Sequence, residues 1–109
     1  MRVWYQVRDF EAGRDFYRRV LGFEETAVDF ESKCAELERN GMQIALTEGE
    51  PAANGAVATL DVDDIKAEAD RLRAEAVQVG TVLELTGQIR LVDIFDPDGN
   101  RIQLTQPID

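Results

Sequence analysis

A chain of 109 residues, 44% hydrophobic and 31% charged, has enough apolar material for one domain and lacks the composition of a disordered segment. Its formal net charge of -10 excludes the clustered Lys and Arg that a phosphate backbone rewards, so nucleic acid is not an expected partner; a field of that sign favours cationic ligands or serves solubility alone. Histidine is absent, which removes imidazole bases, His-based triads and His metal ligands, and the one cysteine, Cys34, cannot close an internal disulfide.

A reducing, cytoplasmic compartment fits that cysteine, which reads as a structural thiol. No run is long enough to cross a membrane, and the first residues lack a charged-then-apolar leader. In chain order, residues 3–7 alternate Val3, Tyr5 and Val7 against neighbours of mixed polarity, the period of a strand. Asp9 reads as an N-cap for a helix carrying Ala12, Phe16, Tyr17, Val20 and Leu21 at spacings of three and four, closed by Gly22. Residues 23–30, 33–39 and 42–47 read as strands, with Asn40-Gly41 as a hairpin turn. Residues 49–55, with Pro51, Asn54 and Gly55, read as a linker.

The pattern then restarts. Ala58, Leu60 and Val62 alternate, Asp63 or Asp64 caps a helix with Ile65, Ala69, Leu72 and Ala76 on one stripe, and residues 79–85, 89–95 and 101–105 read as strands. Asp96-Pro97-Asp98-Gly99-Asn100 is the tight turn between the last two. Val62-Asp63-Asp64 repeats Val7-Arg8-Asp9 at an offset of 55, half the chain. The expected fold is α+β: one domain, 1–109, of two βαβββ modules (about 1–48 and 56–109) forming a curved antiparallel sheet around a cleft, helices on the outer face.

Strand parity nominates the cleft residues. If Val3, Tyr5 and Val7 pack on the helix, Arg2, Trp4 and Gln6 face the cavity; by the same reasoning so do Gln43, Thr47, Thr59, Asp61, Leu91, Asp93, Phe95, Arg101, Gln103 and Thr105. Trp4 and Phe95 can stack on a planar ligand, while Asp61, Asp93 and Glu36 can receive a cationic group. Trp4 can equally serve core or dimer packing, and Asp61 and Asp93 can simply pair with Arg2, Arg90 or Arg101. Arg14, Arg18, Arg19, Arg71 and Arg73 are expected on solvated helix faces.

The run from Val7-Arg8-Asp9 through Phe16-Tyr17 to Leu21-Gly22-Phe23, the restart at Val62-Asp63-Asp64 and the ending Asp96-Pro97-Asp98-Gly99-Asn100 together resemble the vicinal oxygen chelate superfamily. That superfamily includes glyoxalase I, extradiol dioxygenases, the fosfomycin resistance proteins and the bleomycin resistance protein. The resemblance puts metal ligands at four positions, occupied here by Arg2, Ala45, Val57 and Gln103. A guanidinium, a methyl and an isopropyl offer no lone pair, and an amide oxygen is a weak donor. The departure resembles the bleomycin-resistance branch, which implies a metal-free homodimer, without a cofactor, that binds a small aromatic or cationic compound such as an antibiotic. The alternatives are a lyase, isomerase or dioxygenase-type enzyme, with a metal site displaced to Glu36, Asp61, Asp93 and Gln103 or with Asp61 or Asp93 as general base, and a module that binds a protein partner.

Overall fold

Strand β1 (Arg2–Val7) follows its alternation: Val3, Tyr5 and Val7 are buried on one face and Arg2, Trp4 and Gln6 are exposed on the other. The structure is a computed structural model that describes residues 2–52, 55–85 and 87–108; Asn54 of the expected linker lies outside the described residues. The Asp9 carboxylate accepts from the Ala12 N–H at 3.1 Å and opens helix α1 (Phe10–Asp15), which continues as a π-helical turn over Phe16–Val20. Gly13 lies where α1 crosses β1. A Cβ there would stand 2.8 Å from Val7 Cγ2, so only glycine allows this approach.

Strands β2 (Glu24–Asp29), β3 (Cys34–Arg39) and β4 (Met42–Glu48) complete the first sheet in the order β1-β4-β3-β2. Asn40 and Gly41 both take positive φ, 49° and 79°, as an Asn-Gly hairpin turn requires. The sheet is not wholly antiparallel as expected, because β1 and β4 pair in parallel. α1 returns the chain to the end where β1 began, so β2 repeats the direction of β1 and β4, two reversals later, runs the same way.

The second half repeats this with β5 (Ala58–Asp61), α2 (Ile65–Ala74), β6 (Gln78–Val79), β7 (Leu83–Leu85), β8 (Ile89–Phe95) and β9 (Arg101–Pro107). Its order is β5-β9-β8-β6, with β7 also on β8 and β5 parallel to β9. Asp64, not Asp63, is the cap of α2, accepting from the Ala67 N–H at 3.1 Å. Ala76 drops out of the expected stripe: the helix ends at Ala74, and Ala76 turns the chain at a φ of 63°. The strand expected over 79–85 divides in two because residues 80–82 oppose only Val92 and Asp93, one residue too many for a continuous ladder. No helix among the described residues is long and apolar enough to cross a membrane.

One core runs through both halves, from Tyr17, Leu37, Ile44 and Leu46 to Leu60, Ile65, Leu72, Ile94 and Leu104. Polar contacts stitch the seam. The Tyr5 hydroxyl donates to the Arg101 carbonyl at 2.6 Å and accepts from the Ala58 N–H at 2.7 Å. The Tyr17 hydroxyl donates to Asp96 Oδ2 at 2.8 Å, and the Asn100 amide donates both to Asp96 and to the Gln6 carbonyl at 2.9 Å. Arg39 adds a contact to Glu68 at 2.9 Å.

Arg14 departs from its expected solvated position and is only 7% exposed. Its fork meets Glu25 through two contacts of 2.8 Å and reaches Glu11, while the rings of Phe10 and Phe30 lie 5.5 and 4.8 Å away. This pairing is what holds the Glu25 carboxyl below its ordinary 4.5.

Two outcomes follow from buried groups. Tyr17→Phe leaves an Asp96 oxygen short of a partner and lowers unfolding free energy by about 1–3 kcal/mol in chemical denaturation. Burial pushes the Tyr5 hydroxyl up to about 12, so its neutral form is favoured in the folded chain. That contribution is complete below its ordinary 10 and is lost as pH rises toward about 12, so alkaline unfolding in this window weakens its pH dependence in Tyr5→Phe.

Candidate functional site

Each sheet keeps one face away from the helices, and the ladders fix which side chains share it. On the first sheet the rows are Arg2, Gln43 and Glu38, then Trp4, Ala45 and Glu36, then Gln6, Thr47 and Cys34. On the second they are Thr59, Gln103 and Asp93, then Asp61, Thr105 and Leu91, with Arg101 opposite Phe95. With principal extents of 46 × 25 × 25 Å, the two sheets lie edge to edge with their open faces uncovered; Trp4 is 56% exposed there.

Where the open faces meet near the seam they form a cleft of about 580 Å³. Trp4, Gln6 and Thr47 line it from the first sheet, Phe95 and Arg101 from the second, and Val57 from the approach to β5. Of the expected binding residues, Trp4, Gln6 and Phe95 are thus brought together. Arg2, Glu36, Asp61, Asp93 and Gln103 lie on the open faces outside the cleft lining.

The charged members are largely engaged with one another. Arg2 Nη1 meets Glu36 Oε1 at 2.6 Å beside the fully buried Ala45, so the expected pairing of Arg2 with Asp61 or Asp93 is replaced by one within its own sheet. Asp61 takes a short hydrogen bond from the Thr105 hydroxyl. Asp93 Oδ2 lies 3.6 Å from Arg101 Nη1, and its Oδ1 is buried without a hydrogen-bond partner. Arg90 turns instead to Glu84 at 3.4 Å.

These side chains do not suit a divalent cation. The four positions at Arg2, Ala45, Val57 and Gln103 present a cation already paired, two hydrocarbon groups and an amide. The displaced set of Glu36, Asp61, Asp93 and Gln103 is spread over two sheets, and no three Cys, Asp or Glu among the described residues are placed to hold an ion.

Asn100, Ala52, Gly55 and Ala56 also line the cleft and were missed as site residues. Asn100 was legible only as a turn residue of Asp-Pro-Asp-Gly-Asn, and the linker had no periodicity to assign it a face. A second hollow of about 450 Å³ lies by Phe10 and Phe30, but its Lys33 and Glu48 are paired at 3.0 Å.

The family model described as Glyoxalase/Bleomycin resistance protein/Dioxygenase superfamily matches residues 2–104. No curated protein matches the sequence. Among solved structures, an integron cassette protein from the mobile metagenome of the Halifax Harbour sewage outfall is 22% identical with a TM-score of 0.85, covering 97% of this chain and 96% of its own. The antibiotic-binding protein TnmS3 from a Streptomyces species is 26% identical with a TM-score of 0.77, over 97% and 93% of the two chains. Lactoylglutathione lyase from Agrobacterium tumefaciens is 23% identical with a TM-score of 0.74, over 97% and 91%.

Trp4 is the one tryptophan of the chain, so its emission reports on this face directly. In protein diluted until monomeric, that emission falls in the range of water-exposed indole and is quenched freely by acrylamide. A buried-type, unquenched spectrum under those conditions would contradict the assignment of Trp4 to the open face.

Proposed function

Since this chain belongs to the glyoxalase/bleomycin resistance protein/dioxygenase superfamily, its model spanning residues 2–104, we propose that it binds a small aromatic natural product in the cleft without a metal, sequestering it as a resistance or self-protection protein of the cytoplasm. The observation that carries this reading is the contrast between two sets of positions on one surface. The four places where the superfamily sets metal ligands hold Arg2, Ala45, Val57 and Gln103, none a competent donor, while Trp4 and Phe95 still line a cleft of about 580 Å³. The relation to the antibiotic-binding TnmS3 supports the same reading, and Trp4 and Phe95 suit the flat face of an aromatic ring system.

A homodimer belongs to this proposal. The chain alone leaves Trp4, Leu83 and Leu85 about half exposed, and the register of Leu83 with Leu91 sets an apolar row on the open face of the second sheet. A second copy laid over these faces roofs the cleft and covers that row, burying about 800 Å² per partner as a specific interface does.

One observation favours a second reading, an enzyme with Asp93 as general base: its buried Oδ1 has no hydrogen-bond partner and so has a free lone pair to accept a substrate proton. The two readings differ in what Asp93→Asn does. Under sequestration, turnover is absent with or without Asp93; under catalysis, a conversion seen with the native chain disappears in the variant.

For binding, a panel of glycopeptide, phenazine, mitomycin-like and peptide antibiotics is screened by thermal shift and by quenching of Trp4. At least one class raises the melting temperature and quenches saturably, and Trp4→Ala, read by thermal shift because the variant has no tryptophan left to quench, binds that compound about tenfold more weakly, as loss of a stacking platform does. A flat response across the panel removes the sequestration reading. Sedimentation equilibrium at micromolar protein gives twice the chain mass; a monomer throughout that range counts against the roofed cleft.

A further inference from the structure

We propose that the cleft selects planar aromatic ligands carrying an anionic or strongly accepting oxygen, read by the guanidinium of Arg101, over the cationic ligands that the net charge of the chain favours. This rests on the binding role argued above and assigns the charge of its ligand. Among the described residues that line the cleft, Arg101 is the one with a charged side chain. It stands opposite Phe95 across the β8 and β9 ladder, so an oxygen on a ring stacked at Phe95 falls within reach of its fork.

The donors of Arg101 are available. Its side chain is 51% exposed, and the Asp93 carboxylate beside it lies at 3.6 Å, beyond hydrogen-bond length. The carboxylates that would recognise a cation are occupied or elsewhere: Glu36 is held by Arg2 at 2.6 Å, Asp61 by the Thr105 hydroxyl, and buried Asp96 by Tyr17 and Asn100. Of the uncharged polar liners, Asn100 already spends its amide on Gln6 and Asp96, which leaves Gln6 and Thr47 as further donors toward a ligand oxygen.

The net charge of -10 does not override this arrangement. Exposed charges are screened over about 8–10 Å at physiological salt, so an anionic group in contact with Arg101 feels that guanidinium before the distant carboxylates. Asp93 tempers the site: its charge partly offsets that of Arg101, and replacing it by Asn frees the guanidinium while removing a carboxylate whose Oδ1 has no partner to lose.

The test uses the full chain and three probes with one ring and one quenching nitro group: 4-nitrobenzoate, 4-nitrobenzamide and 4-nitrobenzylamine, titrated against the fluorescence of Trp4. The benzoate binds tighter than the amide, on the order of tenfold, as expected for one charge-assisted hydrogen bond. The amine binds weakest. Arg101→Gln brings the benzoate down to the level of the amide, Arg101→Lys keeps part of the preference, and Asp93→Asn strengthens the benzoate alone. Saturable quenching in which the amine binds best, or in which Arg101→Gln leaves the order unchanged, overturns the charge assignment while the cleft stands as a binding site. Absence of saturable quenching by all three probes, in the native chain and in Asp93→Asn, overturns both.

Discussion

Two tyrosine hydroxyls hold the halves of this chain in one register. Tyr5 reaches from the first sheet to satisfy the Ala58 N–H and the Arg101 carbonyl, which belong to the two strands at the near edge of the second. Tyr17 reaches Asp96, whose carboxylate also takes the N–H groups of Asp98 and Asn100 and so shapes the turn before β9. Buried backbone groups left without partners cost about 1–3 kcal/mol each, so sliding one sheet past the other is expensive at every one of these atoms. The rings of Tyr5 and Tyr17 stack with centroids 6.1 Å apart, which ties both hydroxyls to one apolar block.

The cleft depends on this seam because its walls come from both sides of it. Asn100, whose backbone closes the turn with Asp96, donates its side-chain amide to the Gln6 carbonyl, and both residues line the cleft, so that bond sets the distance between the walls. The Asp-Pro-Asp-Gly-Asn segment is therefore a joint between halves as well as a hairpin. Arg101 follows it immediately, with its carbonyl held by Tyr5 and its side chain left to the cleft.

The charges of the open faces have been redistributed relative to what a metal site requires. A divalent ion needs convergent oxygen, nitrogen or sulfur donors, and here the first sheet instead closes an Arg2 to Glu36 pair beside Ala45. Pairing within one sheet leaves the centre of the face nearly neutral. The cation lining the cleft, Arg101, stands at one end next to an aromatic ring, with Asp93 offsetting part of its charge at 3.6 Å. Recognition by stacking and hydrogen bonding can work in that geometry, whereas Lewis-acid chemistry through these side chains cannot.

By itself the sequence determined the alternation of strands and helices, the duplication, the helix cap at Asp9 and a second cap at Asp63 or Asp64, and the alternation that separates core from open face, because these depend on periods and turn chemistry within a few residues; the choice of Asp64 and the division of the strand over 79–85 came from the fold. The family resemblance of its motifs further implied metal positions at Arg2, Ala45, Val57 and Gln103, which offer no donor stronger than one amide oxygen, since that is a matter of residue type. Only the tertiary structure decided what depends on distance across the fold. Arg14, read as a surface charge, is buried because Glu25 from another strand and two phenyl rings meet around it. β1 and β4 pair in parallel because of where α1 returns the chain. Of the acids nominated for a ligand, Glu36 and Asp61 find partners within their own sheets and Asp93 lies beside Arg101, while Asn100, read only as a turn residue, joins Arg101 as a wall of the cleft. Such contacts join residues up to 96 positions apart, as Tyr5 and Arg101 are, and local pattern carries no information about which distant side chain will fill a given space.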